Sequence, residues 1–265
     1  MRKLPVSCFI ISKNEADRIA RTIRSVRSWV DEVVVVDSES TDDTVAVALA
    51  EGCRVITQPW LGFGGQKRFA EEACRNDWLF NIDADEVVTD DLQREISAVF
   101  AAGDPEFVAY GMPLQMVYPG STQPRPWPRD HWYIRLYNRR FVRFRHSNVH
   151  DSVVTDGYDV GKFNSPMHHF SMRSFADMKR KLDERTWLQV ANARPSSVGV
   201  LSVRLVSEYP MNFFKYYVIR RHFTGGVKGF RYAAIQARFR FLKVYRIWRL
   251  SIQDMKVPRA PSHAV

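Results

Sequence analysis

The sequence from residue 78 to residue 86 reads Trp78-Leu79-Phe80-Asn81-Ile82-Asp83-Ala84-Asp85-Glu86. Its first half is an apolar run of the kind found in strands that are buried on both faces of a sheet. Its second half places two carboxylates, those of Asp83 and Asp85, directly where that strand would end. A buried strand that leads into paired carboxylates predicts a ligand site at one edge of a parallel sheet.

Three further strands are predicted upstream of this segment, with helical patterns between them. The apolar runs lie at residues 6–11, 33–36 and 54–58, and the helical patterns at residues 16–30, 41–52 and 66–75. Strands that alternate with helices in this way indicate βαβ units and a mainly parallel sheet. The first hundred residues are therefore expected to form an α/β layer structure.

Polar side chains follow three of the four predicted strands. Asn14 and Glu15 come after the first strand, Asp37 ends the second, and Asp83 and Asp85 follow the fourth. Because the carboxyl ends of parallel strands lie at one edge, we expect these side chains to converge on one crevice. Carboxylate oxygens suit Mg²⁺ or Mn²⁺, and such an ion can neutralise a diphosphate leaving group. An exposed acidic turn is the alternative interpretation of the acidic run alone.

Four motifs carry a resemblance to a known family. They are Ile10-Ile11-Ser12-Lys13-Asn14-Glu15, Val36-Asp37-Ser38-Glu39-Ser40-Thr41-Asp42-Asp43-Thr44, Phe63-Gly64-Gly65-Gln66-Lys67 and Asn81-Ile82-Asp83-Ala84-Asp85-Glu86. In this order they resemble the family 2 inverting glycosyltransferases with a GT-A fold, and within them the bacterial lipopolysaccharide-core β-glucosyltransferases. The resemblance is close over residues 4–100 and looser beyond. It implies a Rossmann-like, mixed and mainly parallel sheet flanked by helices, to which the pattern of the C-terminal residues adds a basic, helical appendage.

The resemblance also implies roles for the residues at the strand ends. Asp37 would contact the uracil or ribose of a UDP-sugar, and Asn14 and Glu15 would line the same pocket. Asp83 would lie near the ribose and the metal. Asp85 would be the principal ligand of Mg²⁺ or Mn²⁺.

Three residues outside the acidic run complete the predicted site. Lys67 opens a helix after the glycine-rich loop and could reach phosphates, although a solvated helix face is the alternative. By resemblance His169 completes the metal site, with His168 as the other candidate. Asp151 matches an acidic position that is often Glu in the family and would be the general base, since an inverting transfer needs one carboxylate to take the acceptor's proton. A surface acid is the alternative interpretation of Asp151.

The net charge of +10 is concentrated near the C-terminus. From residue 203 onward there are 13 Lys and Arg and only two acids, so the rest of the chain is nearly neutral. This asymmetry indicates an acidic partner surface, either anionic lipid or nucleic acid. A helical pattern over residues 230–250 carries an apolar stripe, which would either dock on a membrane or pack on the catalytic domain.

The predicted organisation is a catalytic domain over residues 1–200 and a basic, aromatic helical tail over residues 201–265. Residues 1–100 would form the nucleotide-sugar-binding half and residues 101–200 the acceptor-side half. Three cysteines without CxxC spacing favour a reducing compartment. No apolar stretch approaches the ~18 residues of a membrane-spanning helix. We therefore expect a cytoplasmic protein, peripheral on the cytoplasmic face of the inner membrane.

The predicted function is transfer of a hexose, by resemblance glucose, from a UDP-sugar to a lipopolysaccharide-core or other membrane-associated glycan. A polyprenyl-linked or soluble acceptor is an alternative within the same class of enzyme. A nucleic-acid-binding protein that uses the basic tail is an alternative from another class, but the sequence has no zinc-ligand spacing or RNP-type motif, and no nucleic-acid partner is expected. A third alternative is an inactive protein that retains the fold.

Overall fold

The computed structural model describes residues 3–128, 131–145, 152–193 and 197–256. Residues 254–256 are described by their backbone only. The chain forms two compact units. The first comprises the chain as far as Val117 and the segment that ends at Ser171. The second comprises the segment that begins at Tyr118 and the chain from Met172 onward. The predicted domain boundary near residue 200 stays a prediction, and the longer segment of the second unit begins before it.

The first unit is built on a mixed sheet. Its strands and those of a separate small ribbon are β1 (Leu4–Ser12), β2 (Val30–Asp37), β3 (Arg54–Thr57), β4 (Trp78–Asn81), β5 (Glu86–Val88), β6 (Ala109–Met116), β7 (His131–Asn138), β8 (Arg143–Phe144), β9 (Val153–Val154), β10 (Gly161–Lys162) and β11 (Met167–His169). In the described part of the chain the sheet order is β3-β2-β1-β4-β7-β6-β11-β5, β10 pairs with β6, and β8 pairs with β9. The pairs that involve β1, β2 and β3 are parallel, whereas β7 runs antiparallel to β4 and β6.

Helices flank this sheet and form most of the second unit. They are α1 (Ile19–Arg24), α2 (Thr44–Ala50), α3 (Phe63–Ala73), α4 (Asp90–Ala101), α5 (Phe175–Ala191), α6 (Val198–Phe214) and α7 (Gly226–Lys256). A π-helical turn (Lys215–Ile219) and a 3₁₀ turn (His222–Gly225) connect α6 to α7. The predicted fold class, a mixed and mainly parallel sheet flanked by helices with a helical C-terminal part, is confirmed.

The apolar runs of β1 and β2 are buried on both faces, as predicted. Successive residues of a strand point to opposite faces. In β1, Cys8 and Ile10 therefore belong to the core on one side of the sheet, and Phe9 belongs to the core on the other side. In β2, Val34 and Val35 divide in the same way. This two-sided burial holds the carboxyl ends of the central strands in fixed positions.

Two predicted helices differ from the observed ones at their ends. The regular part of α1 is shorter than residues 16–30, although its predicted apolar spacing is correct, because Ile19, Ile23, Val26 and Val30 are all fully buried. The third helix begins at Phe63 rather than near residue 66. Gly62 takes the left-handed φ of 81° that ends the preceding loop, so the glycines after it form the first helical turn.

Part of the apolar stripe predicted on the last helix is buried within the second unit. Ala233, Ala237 and Val244 on α7 are fully or almost fully buried, and α7 packs against α5 and α6. Phe230 and Tyr245 of the predicted stripe are 51% and 38% exposed, so the stripe is covered only in part and its contact with a membrane stays a prediction. Among the described residues, no helix is long and apolar enough to cross a bilayer.

Candidate active site

The carboxyl ends of three neighbouring parallel strands carry the predicted site. Ser12 of β1 lies beside Asp37 of β2, and Phe9 of β1 lies beside Asn81 of β4. The polar residues that follow these strands therefore leave the sheet at one edge. The predicted convergence is confirmed for the strand ends.

The loops after β1 and β2 are joined through Asn14 and Glu15. Asn14 adopts a left-handed φ of 56°, a conformation that Asn tolerates better than most residues. Its backbone N–H donates to Ser40 Oγ at 2.8 Å, and its side-chain oxygen accepts from the Thr41 N–H at 2.8 Å. The Glu15 N–H donates to Thr44 Oγ1 at 2.7 Å. Asn14 thus fixes the edge of the site.

The carboxylate of Asp37 is buried beneath that edge. It accepts hydrogen bonds from Ser12 Oγ at 3.0 Å, from the Ser40 N–H at 2.8 Å and from Ser40 Oγ at 2.6 Å. A carboxylate with three protein donors is already satisfied. The predicted contact between Asp37 and a nucleotide would have to share or exchange one of these bonds, and it stays a prediction.

Asp83 is held by two cations from distant parts of the chain. Lys67 Nζ lies 3.1 Å from Asp83 Oδ1, and Arg135 Nη2 lies 3.0 Å from Asp83 Oδ2. Burial raises the pKa of Asp83, but Lys67 and Arg135 together outweigh it, so the pKa lies below its usual range and the group is ionised. Lys67 is fully buried, which excludes the solvated helix face considered for it.

Arg135 connects Asp83 to a second buried acid, Glu86. Its guanidinium donates to Asn81 Oδ1 at 3.0 Å and also to the carboxylate of Glu86. Glu86 in turn accepts from the Asp83 N–H at 3.0 Å. Burial raises the pKa of Glu86 to about 7, even though Arg135 lowers it. The turn from Asp83 to Glu86 is therefore fixed from both of its ends.

Asp85 faces a histidine and an arginine. Its Oδ2 lies 3.4 Å from His169 Nε2 and 3.3 Å from Arg18 Nη1. Burial raises the pKa of Asp85, but the contacts with His169 and Arg18 lower it to below its usual range. Burial lowers the pKa of His169, but the contact with Asp85 raises it by more, so the net effect is a pKa above the usual value. Of the two candidate histidines, His169 is the one at Asp85.

Asp83, Asp85 and His169 open into a cleft of about 600 Å³. Glu15 also lines this cleft, whereas Asn14, Asp37 and Lys67 do not. The cleft is also lined by the aromatic rings of Trp60 and Phe63. The two rings pack edge to face with their centroids 4.9 Å apart, and both side chains are about half exposed. An apolar ring surface opposite a set of charged groups is a common form of a small-molecule site.

A second cavity, of about 690 Å³, shares Asp83 and His169 with the first. It is lined by the aromatic residues Trp132 and Tyr133, by Glu86 and Arg135, and by Ser152. Two cavities that meet at the same two residues can hold two substrates on either side of them. The predicted base Asp151 lies outside the described residues, but its chain neighbour Ser152 is part of this second cavity.

The groups at Asp85 can supply some, but not all, of the ligands of a divalent cation. No group of three or more His, Cys, Asp or Glu is arranged around a metal position within residues 3–128, 131–145, 152–193 and 197–256. Mg²⁺, however, is commonly held by only one or two protein carboxylates, with substrate phosphates and water as the other ligands. Asp85 and His169, whose nearest atoms are 3.4 Å apart, supply two adjacent donors. The residues fit an ion that a substrate completes, not a closed protein cage.

The network also contains residues that the sequence analysis missed. Arg18 pairs with Glu15 as well as Asp85 and donates to the Phe170 carbonyl at 3.1 Å. Arg135 and Glu86 form the buried pair beside Asp83. A basic residue in the middle of an otherwise apolar or aromatic strand, Ile134-Arg135-Leu136, was the one sequence signal for Arg135. Arg18 carried the weaker signal of lying three residues after Glu15.

Comparisons with known proteins agree with this geometry. The model of glycosyl transferase family 2 matches residues 7–163. An uncharacterized glycosyltransferase of Rickettsia felis is 42% identical over 251 residues, which cover 91% of this chain and 89% of the relative. The lipopolysaccharide core biosynthesis glycosyltransferase LpsC of Rhizobium meliloti is 29% identical over 253 residues, 93% of both chains.

The site and the sequence matches define one class of enzyme, the glycosyltransferases. The chain belongs to glycosyl transferase family 2, as its motifs predict. Among solved structures, glucosyl-3-phosphoglycerate synthase from Mycobacterium tuberculosis, with Mn²⁺, UDP and glucosyl-3-phosphoglycerate, is similar at 27% identity and a TM-score of 0.34, over 43% of this chain and 44% of that one. A TM-score of this size carries no argument about the fold or the ligands of the present chain.

Proposed function

We propose that this glycosyltransferase is a metal-dependent, inverting enzyme that moves a hexose, glucose by resemblance, from a UDP-sugar to a lipopolysaccharide-core or other membrane-associated glycan. The observation that carries the proposal is the pair of cavities that meet at Asp83 and His169. The cavity with Asp85 takes the donor, and the cavity with Trp132 and Tyr133 takes the acceptor. The relationship to LpsC supports the class of acceptor.

On the donor side, Asp85 and His169 would hold Mg²⁺ or Mn²⁺. The bound ion would neutralise the diphosphate that leaves with the nucleotide. Arg18 keeps the Asp85 carboxylate oriented, because it is itself fixed by Glu15 and by the Phe170 carbonyl. Lys67 and Arg135 hold Asp83 ionised, and by resemblance Asp83 would lie near the ribose of the donor. Asp83 is a weaker ligand for a metal ion than Asp85, since both of its oxygens already face cations.

On the acceptor side, an inverting transfer requires a base on the face of the sugar opposite the diphosphate. The acceptor hydroxyl loses its proton to that base while its oxygen bonds to the anomeric carbon and the bond to the diphosphate breaks. We assign the base to Asp151, the chain neighbour of Ser152, which lines the second cavity. The exposed rings of Trp132 and Tyr133 would pack against the apolar face of an acceptor sugar.

The test is nucleotide release from a panel of UDP-, GDP- and dTDP-sugars in the presence of Mn²⁺. We expect release from UDP-glucose above all, loss of release in EDTA, and recovery when Mn²⁺ is returned in excess. A lipopolysaccharide-core acceptor should raise the rate more than polyprenyl phosphate or free sugars do. Release from none of the donors, with or without acceptor, would contradict the proposed activity.

The second unit supports attachment to an anionic membrane surface, on the cytoplasmic face of the inner membrane as the sequence predicts. One face of α6 presents apolar side chains to solvent, among them Val203 and Val206, which are 72% and 81% exposed. Val200, Met211 and Phe214 continue the same face. An exposed apolar helix face in a part of the chain with 13 Lys and Arg and two acids suits the interface of an anionic bilayer. This face on α6 is the proposed contact, because Ala233, Ala237 and Val244 of the predicted stripe on α7 are buried.

Replacing Val203 and Val206 together by aspartate should reduce binding to phosphatidylglycerol vesicles by about tenfold or more, since each buried Val contributes roughly 1.5 kcal/mol. Vesicle flotation measures the effect. The matched control replaces two exposed leucines elsewhere, Leu49 and Leu188, by aspartate. Equal flotation of both variants would contradict docking through α6, and oligonucleotide binding without any flotation would favour the nucleic-acid alternative.

A further inference from the structure

The second unit contains a cavity of about 220 Å³ that shares no residue with the cleft at Asp85. One side is a face of α5, where Arg185, Thr186 and Gln189 recur at helical spacing. The opposite side is a face of α7 that includes Arg240 and Lys243. The volume is far above the ~10–15 Å³ that one buried water requires. The cavity can therefore hold a small polar group together with water.

The lining of this cavity is strongly positive. It includes Arg185, Arg220, Arg240 and Lys243, and among the described lining residues none is acidic. Within the described residues, none of these four cations forms an ion pair with an acid. Arg185 and Arg240 are exposed, and Arg220 and Lys243 are half-buried. Like charges around one small space repel one another unless an anion lies between them, and solvent weakens this repulsion least at the half-buried pair. The arrangement therefore favours an anionic occupant.

The acids of α5 are occupied by other cations. Asp177 pairs with Arg180 at 2.8 Å, and Asp183 pairs with Arg246 at 2.5 Å. Both partners, Arg180 and Arg246, lie outside the cavity lining. These carboxylates therefore neutralise other cations than those of the cavity. The positive charge of the cavity is thus not compensated locally by α5.

Aromatic and amide side chains also line this cavity and hold some of its cations and hydroxyl groups in place. The Arg220 guanidinium lies over the ring of buried Tyr216, 5.0 Å from its centroid, and Tyr216 belongs to the π-helical turn. The hydroxyl of Tyr232, which also lines the cavity, accepts from Gln236 Nε2 at 3.1 Å. π-Helical turns are rare and are frequent at functional sites. These contacts give the cavity fixed donors as well as charge.

We propose that this cavity binds a terminal phosphate or diphosphate group. Such a group carries two or more negative charges and presents several acceptor oxygens, and guanidinium groups bind these oxygens in pairs. An internal phosphodiester carries a single charge and has substituents on both sides, so it matches four cations around a small space less well. The phosphate can belong to a lipid headgroup or to a soluble molecule, and the two sources share this chemistry.

The first test is calorimetric titration of pyrophosphate into the whole protein in EDTA, which removes the cations that would bridge a diphosphate to Asp85. We expect the Arg240→Gln, Lys243→Gln double variant to bind pyrophosphate about tenfold or more weakly than wild type, because two charge-assisted contacts are lost. The control replaces Arg238 and Arg249 by glutamine. Both are exposed on α7 and outside the cavity, and this control should bind pyrophosphate like wild type.

Thermal unfolding supplies a readout that separates binding from folding. Removing two mutually repelling charges should leave the unfolding midpoint of the cavity variant unchanged or higher. Pyrophosphate should raise the midpoint of the wild type and the control but not that of the cavity variant. If the double variant does not fold, Lys243→Gln alone is compared with Arg238→Gln alone in the same titration.

Vesicles distinguish the two sources of phosphate. If it is lipid-borne, the wild type should prefer phosphatidic acid, a monoester, over phosphatidylglycerol, a diester, at equal surface charge, and the cavity variant should lose that preference. Pyrophosphate binding without such a preference assigns the cavity to a soluble phosphate. The proposal would be overturned if the wild type and the cavity variant bound pyrophosphate with equal affinity. It would also be overturned if both double variants lost affinity equally, or if the wild type bound neither pyrophosphate nor the vesicles.

Discussion

Asp85→Asn is expected to lower metal-dependent nucleotide release by about 10²–10³-fold, the loss that follows when several kcal/mol of charge stabilisation is removed. Asparagine keeps the shape of the side chain but has no charge to share with His169 across the 3.4 Å between them. Arg18 keeps its partners Glu15 and the Phe170 carbonyl, so the loop should stay in place. The rate of UDP release is measured as a function of Mn²⁺ concentration.

The matched control for this change is Asp91→Asn, which also removes one carboxylate. Asp91 is exposed at the start of α4 and pairs with Arg94 of the same helix, so its loss should leave the rate unaltered. Thermal unfolding should show both variants folded. If Asp85→Asn released UDP at the wild-type rate with the wild-type metal requirement, Asp85 would not be a metal ligand.

The central strands were predictable because their burial on both faces leaves continuous apolar runs in the sequence. β1, β2, β3 and β4 lie within three residues of the predicted runs at either end. The gathering of their polar ends at one edge followed from parallel pairing alone. The sequence could therefore indicate Asp83 and Asp85 before any contact was known.

The cations at the acidic turn were not predictable by the same reasoning. Arg135 comes from β7, which runs antiparallel to β4 and lies more than fifty residues away along the chain. Lys67 is at the start of α3, where helical spacing alone suits an exposed residue as well as a buried one. A local pattern shows the face on which a residue lies. It does not show which distant strand brings a partner to that face.

The tail over residues 201–265 was expected to be helical, but its sequence did not delimit α6, because the local signals of this segment oppose a helix. It contains Pro210 and several valines, which have low helix propensity. Packing against α7 favours the helix in spite of them. The same valines give α6 its exposed apolar face, so the feature that hid the helix in the sequence is the one proposed to contact a membrane.

Asp151→Asn is expected to leave UDP-sugar binding unchanged and to lower transfer by about 10²–10⁴-fold, the usual contribution of a general base. In the proposed function the donor would be bound in the cleft that contains Asp85, whereas the acceptor proton would be removed in the cavity lined by Ser152. Donor affinity is measured by calorimetry and transfer by a single-turnover assay. In Asp151→Asn the transfer rate should therefore fall while donor affinity is kept. In Asp85→Asn we expect both to fall.

Two companion variants make the assignment of the base specific. Asp156→Asn removes an exposed acid five residues further along and should transfer at the wild-type rate. Asp151→Glu keeps the carboxylate and should retain part of the transfer, because the side chain differs by one methylene in reach. If Asp151→Asn transferred at nearly the wild-type rate, the proton would be taken by another group. The buried acid Glu86, which also lines the second cavity, would then be the next residue to replace, since a base for this reaction must lie on the acceptor side.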